Sequence, residues 1–212
     1  MKQLIFPSIV AKSQKELDED LDHLNGIVKE LHLDVVDGKF APNHSLDFKF
    51  KLSSKFKYNA HLMIKHPEAW IKTHWQKIEL FIPQFEELKD FERYEHWMRQ
   101  TQRKVAVAIK PETKVSKLKP FLKNIDYVLV LSVHPGFYGS KFLPAQLHKI
   151  TQIKKLNPKI KVIVDGGMNP KTIKLAVKAG AELFVSGSYT TKAEKPNERM
   201  KSLMKEIRKK VY

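Results

Sequence analysis

The chain has 212 residues, of which 42 % are hydrophobic and 10 % aromatic, enough to bury a sizeable core and too rich for a disordered chain. The absence of cysteine excludes disulfide scaffolds, thiolate zinc sites, Fe–S clusters and a cysteine nucleophile. Its 39 Lys and Arg against 23 Asp and Glu leave a formal net charge of +16. These cations are spread along the chain among acidic residues, densest at Lys201–Lys210, with no zinc-finger, RRM or KH pattern and no interleaved aromatics. Nucleic acid is therefore not the expected partner, and a solvated Lys-rich surface that attracts anionic substrates is.

In chain order, the first apolar run is Leu4–Val10. Ser13, with Glu16 three residues on, has the spacing of a capping box and predicts a helix running toward Leu31, with Leu17, Leu21, Leu24 and Val28 on one face. Further strand-like runs are His32–Val36, Tyr58–Met63, Ile78–Ile82, Val105–Ile109, Tyr127–Val133, Val162–Val164 and Leu183–Val185. Amphipathic stretches fall between them at Pro67–His74, Phe85–Arg99, Lys114–Leu122, Pro144–Leu156 and Pro170–Ala179, and a last helix is expected near Pro196–Lys209. Eight strands alternating with about as many helices imply an α/β fold with a parallel sheet. In a chain of this length that is a short (β/α)8 TIM barrel, with an open doubly wound sheet as the rival. No linker or low-complexity tract divides residues 1–212, so one domain is expected. No run of roughly 18 apolar residues predicts a membrane helix. Nor does Met1–Val10 read as a secretory signal, so a cytoplasmic protein is expected.

Glycine marks the expected site. Gly38, Gly136, Gly139, Gly166, Gly167 and Gly187 each follow a predicted strand and precede a helix, the end of a parallel α/β barrel where sites are built. Gly180 fits a left-handed helix C-cap, and Gly26 lies late in the first helical segment.

The polar residues at these strand ends carry the chemistry. His32 and Asp34 are two apart, so both side chains point to one face of their strand. His61 and Asp165 each interrupt an otherwise apolar run. Two His and two carboxylates on one rim make an N2O2 site for one divalent metal, Zn, Fe, Mn or Co, with no organic cofactor called for. The competing reading is that each is separately satisfied by a hydrogen bond. Asp37, before Gly38, reads as turn chemistry. His23 and His148 fall in predicted helices, and His44, His66, His74 and His96 in loops or amphipathic stretches. His134 follows the sixth strand and could reach a substrate. The surrounding Pro135, Gly136, Phe137 and Gly139 suggest a mobile lid, or else a plain turn. Gly166-Gly167 and Gly187-Ser188, after the last two strands, leave backbone N–H groups free for a phosphate.

The motifs Pro7-Ser8-Ile9, His32-x-Asp34-x-x-Asp37-Gly38 with Phe40-x-Pro42-Asn43, His61-Leu62-Met63, Ser132-Val133-x-Pro135-Gly136-Phe137, Val164-Asp165-Gly166-Gly167 and Val185-Ser186-Gly187-Ser188 together resemble ribulose-phosphate 3-epimerases, in order and spacing, from Pro7 to about Pro196. The resemblance implies a TIM barrel that interconverts D-ribulose 5-phosphate and D-xylulose 5-phosphate. It implies His32, Asp34, His61 and Asp165 as metal ligands, Asp34 and Asp165 as the paired acid/base residues, Ser8 as a substrate contact, and a homo-oligomer. A hexulose phosphate such as allulose 6-phosphate is the nearest alternative substrate, and a non-catalytic anion- or nucleic-acid-binding barrel the alternative of a different class. Three departures stand out. Val36 replaces the usual Met. The loop Gly136-Phe137-Tyr138-Gly139-Ser140 replaces Gly-Phe-Gly-Gly-Gln. Ile82-Pro83-Gln84 stands where the family has His-x-Glu.

Overall fold

In the computed structural model, residues 3–137 and 139–209 are described. The strands and helices are β1 (Ile5–Ile9), α1 (Gln14–Leu24), β2 (Glu30–Asp37), β3 (His44–Ser45), β4 (Lys57–Met63), α2 (Pro67–His74), β5 (Leu80–Pro83), α3 (Phe91–Gln100), β6 (Ala106–Ile109), β7 (Tyr127–Leu131), α4 (Leu147–Leu156), β8 (Lys161–Asp165), α5 (Pro170–Ala179), β9 (Leu183–Ser186) and α6 (Pro196–Arg208). Eight of the strands run parallel in the order β5-β4-β2-β1-β9-β8-β7-β6, and β3 lies antiparallel on β2. The sheet curls until its two edge strands meet, where a parallel bridge between Gln84 and Ala108 joins them. The architecture is a (β/α)8 TIM barrel, with the eight strands the sequence predicts plus the two-residue β3.

Alternation along each strand separates two cores. One set of side chains, including Phe6, Ile82, Ala106, Ala108, Leu129, Leu131, Ile163, Leu183 and Val185, fills the inside of the barrel. The other set, such as Ile5, Leu33, Val35, Leu62, Val107, Val130, Val164 and Phe184, packs outward with Leu17, Leu21 and Leu24 of α1 and the apolar faces of the other helices. The strands are buried on both faces, so they read as continuous apolar runs.

Several helix boundaries differ from the sequence reading, each for a local reason. The first helix begins as expected, with Ser13 accepting from the Glu16 N–H, but ends at Leu24, where Asn25-Gly26 turns the chain. The Phe85–Arg99 stretch divides, because the Asp90 carboxylate caps a new helix by accepting from the Arg93 N–H at 2.9 Å. In place of a helix over Lys114–Leu122, the chain forms two short 3-10 turns, Val115–Lys117 and Leu122–Asn124. Its Val115, Leu118 and Leu122 have helical spacing, but Pro120 lacks an N–H and disfavours helix at the residue before it. α5 matches its predicted limits, with Asn169 and Thr172 forming a capping box and Gly180 ending it at φ 107°.

Candidate active site

The cavity at the C-terminal mouth of the barrel is lined by Ser8, Asp34, Val36, Met63, Leu131, Val133, Asp165, Gly166, Gly167, Met168, Val185, Gly187 and Ser188, with Pro135, Gly136, Phe137, Gly139 and Ser140 along one rim. The strand register explains the convergence. Ser8 pairs with His32, Asp34 with His61, and Leu131 with Asp165, so inward residues of five strands meet at two adjacent levels.

His32, Asp34, His61 and Asp165 form one cluster whose four donor atoms lie within 4.8 Å of one another. His61 Nδ1 is 3.5 Å from Asp34 Oδ1 and 3.3 Å from Asp165 Oδ2. His32 Nε2 is 3.4 Å from Asp34 Oδ1 and 3.9 Å from Asp165 Oδ2. His32 Nε2, Asp34 Oδ1 and His61 Nδ1 are buried with no hydrogen-bond partner. Leaving such atoms unmatched costs about 1–3 kcal/mol each. Bonds of about 2.0–2.1 Å from these atoms to one cation would place tetrahedral donors about 3.3–3.4 Å apart. The spacing and the three orphaned atoms therefore fit a divalent cation, and run against the reading in which each group is separately satisfied.

The electrostatics are those of interlocked opposite charges. Burial pushes the Asp34 carboxyl up, but His32 and His61 outweigh it and hold the group well below the usual carboxylate range. Burial likewise pushes His61 down, but Asp165 and Asp34 prevail and lift it to about 9. The far ring nitrogens are held by amides. His32 Nδ1 meets Asn59 Oδ1, and His61 Nε2 lies 2.7 Å from the Gln84 side-chain nitrogen.

Gly166-Gly167 after β8 and Gly187-Ser188 after β9 share the cavity with the cluster. Gly166, at φ 108°, is pressed against Val133, and Ser132 Oγ donates to the carbonyls of Asp165 and Gly166 at 2.9 and 2.7 Å. Asn43 Nδ2 donates to the Gly136 carbonyl at 2.5 Å, tying the loop after β2 to the one after β7. Phe137 is 58 % exposed at the rim. Tyr138 lies outside the described residues. His134 is not brought to the cavity; it is exposed, with Nδ1 3.2 Å from Glu112 Oε1. Asn59 and Gln84 went unassigned in the sequence reading. A signal was present for Asn59, two residues before His61 and therefore on the same face.

The chain matches the ribulose-phosphate 3 epimerase family over residues 4–191. It is 30 % identical to the ribulose-phosphate 3-epimerase of Candida glabrata, over 99 % of this chain and 94 % of that one. It is 31 % identical to that of Mycobacterium tuberculosis, over 96 % and 92 %. Among solved structures, 3-keto-L-gulonate-6-phosphate decarboxylase from Vibrio cholerae superposes with a TM-score of 0.71 at 11 % identity, covering 99 % of each chain. 3-Hexulose-6-phosphate synthase from Salmonella typhimurium gives 0.68 at 12 %, covering 98 % of this chain and 99 % of that one. At such identities these two bear on the fold alone. The sequence match and the relatives carry the conclusion that the chain belongs to the ribulose-phosphate 3-epimerase family, a family of isomerases.

Proposed function

We propose that the chain interconverts D-ribulose 5-phosphate and D-xylulose 5-phosphate by moving the C3 proton between two carboxylates. The observation that carries this reading is the meeting of Asp34 and Asp165 with His32 and His61 at the barrel mouth, in a chain of an epimerase family.

The C3 proton is acidic because it lies α to the C2 carbonyl. One of Asp34 and Asp165 removes it, the substrate flattens to an enediolate, and the other returns a proton to the opposite face, with no organic cofactor needed. A divalent cation held by His32, Asp34, His61 and Asp165 would polarise the C2 oxygen and stabilise the negative charge that develops there. Zn, Fe, Mn and Co all suit two imidazoles and two carboxylates, so availability decides among them. The backbone N–H groups of Gly166, Gly167, Gly187 and Ser188 take the phosphate, helped by the N-terminus of α5, and this remote contact positions C3. Ser8 contacts the sugar, and the apolar Val36, Met63, Leu131 and Val185 limit the water around the enediolate. Gly136, Phe137 and Gly139 cover the mouth.

The test is proton exchange at C3. Metal-loaded protein incubated with D-ribulose 5-phosphate in D2O is expected to give xylulose 5-phosphate deuterated at C3 by NMR, and Asp34→Asn to give none while folding normally. Exchange into allulose 6-phosphate alone would move the substrate to a hexulose. Exchange into neither sugar phosphate by folded, metal-loaded protein would overturn the epimerase reading.

A further inference from the structure

Gln84, the first residue after β5, is fully buried, and its side chain turns into the barrel toward His61. In a neutral imidazole one ring nitrogen carries the proton and the other a lone pair. His61 Nδ1 faces Asp34 and Asp165, and Nε2 faces Gln84. Nδ1 can offer its lone pair to a cation only if Nε2 carries the proton, and the Gln84 atom 2.7 Å away must then accept. With the amide nitrogen on that side, Oε1 is left buried without a partner, as is His61 Nδ1. Turning the terminal amide half a revolution exchanges Oε1 and Nε2 and leaves the other heavy atoms in place. Oε1 then accepts from Nε2–H, and the Nδ1 lone pair points into the cluster.

Asn59 does the same for His32, so both imidazoles rest on neutral amides. A carboxylate in such a place makes its imidazole a more basic ligand, whereas an amide orients the ring without adding charge. Gln84 is singular in a second respect: its backbone forms the bridge to Ala108 that joins β5 to β6. The side chain that orients His61 thus grows from the residue where the barrel closes.

We propose that Gln84 is the positioning residue that fixes the His61 tautomer for cation binding, and that its neutral amide holds the cation less tightly than a carboxylate there would. This rests on the reading of His32, Asp34, His61 and Asp165 as a cation site, and the experiment keeps the two apart.

Metal-free full-length protein is titrated with Co2+, following the visible bands and competition with a chelator, and the histidine tautomers are read by 15N NMR after Zn2+ loading. Wild type is expected to bind one Co2+ with His61 protonated on Nε2. Gln84→Leu should weaken binding about 10- to 100-fold and mix the His61 tautomers. Gln84→Glu should keep the Nε2–H tautomer and bind more tightly than wild type, and it decides the matter alone if Gln84→Leu does not fold. Equal affinities and tautomers in all three proteins would overturn the role of Gln84 while leaving the cation site standing. Failure of the wild type to bind Co2+ or Zn2+ would overturn the cation site itself.

Discussion

Asp165 is the last residue of β8, and the residue after it decides where its carboxylate sits. Gly166 has φ 108°, and a Cβ there would lie 2.5 Å from Val133 Cγ2. Gly166→Ala combines a conformation that L-residues avoid with a collision. It is expected to cost about 1–3 kcal/mol of stability and, by displacing Asp165, most of the activity, as a thermal melt and an epimerase assay on one sample would show. A gentler change is Asp165→Asn, which keeps shape and removes the base. On the two-carboxylate mechanism it should lower turnover by about 10^2- to 10^4-fold with the melting temperature of the metal-free protein near wild type. Near-normal turnover would remove Asp165 from the acid/base pair. Both His of the cluster and both Asp could be named from the sequence, because a polar residue in a run buried on both faces is conspicuous. Gln84 could not. It lies beyond the end of its strand, and nothing local tells whether its side chain turns inward.

Elements brace the site from outside the chemistry. The loop after β2 is held by Asp37, whose carboxylate accepts from the N–H groups of Lys39, Phe40 and Lys65 at 2.8–3.0 Å. Burial pushes this carboxyl up, but the three bonds outweigh it and keep it below its ordinary value. The stabilisation is therefore present above the unfolded carboxyl pKa of about 3.9 and disappears as pH falls through the folded value. Asp37→Ala should cost about 1 kcal/mol at pH 7 in this half-exposed loop, and its melting gap from wild type should close as pH falls below the unfolded carboxyl pKa and through the lower folded one. A gap unchanged in acid would mean that the carboxylate is not what holds the loop. Two strands along from β2, α3 reinforces the junction of β5 and β6. The Tyr94 hydroxyl donates to the Phe81 and Ala106 carbonyls at 3.3 and 3.0 Å, and burial raises its pKa. Tyr94→Phe should destabilise by about 1–3 kcal/mol, with faster amide exchange along β6. Strands and their order were legible because apolar runs, turns and glycines agree. The segment 114–122 was not, because helical spacing there competes with Pro120 and the proline prevails.

At the scale of the whole molecule, the cation would act as a clasp between distant parts of the barrel. Its ligands come from β2, β4 and β8, and β2 is separated from β8 by β1 and β9 on one side and by the β5–β6 junction on the other. A cation at 100 times its Kd would stabilise the fold by about 2.7 kcal/mol. Removing it with a chelator should lower the melting temperature correspondingly, and re-addition should restore it. A chelator-insensitive melt would show that the four groups do not couple to folding through a metal. The excess of Lys and Arg was evident from composition, but composition does not locate it. The rim that faces a substrate is built by loops from many strands, and only the folded chain brings them together.

The pairing of β1 with β9 sets Ile5 against Phe184, and this bears on how the protein is born. A chain leaving the ribosome has exposed His32, Asp34 and His61 long before Asp165 has been made, and the half of the sheet that carries Asp165 joins the half that carries the other three only when the last strand docks against the first. Contacts so distant in sequence form late and slowly. Capture of a cation by all four groups would thereby be deferred to the end of folding, and a prematurely terminated chain would hold three of the donors without the wall that completes them.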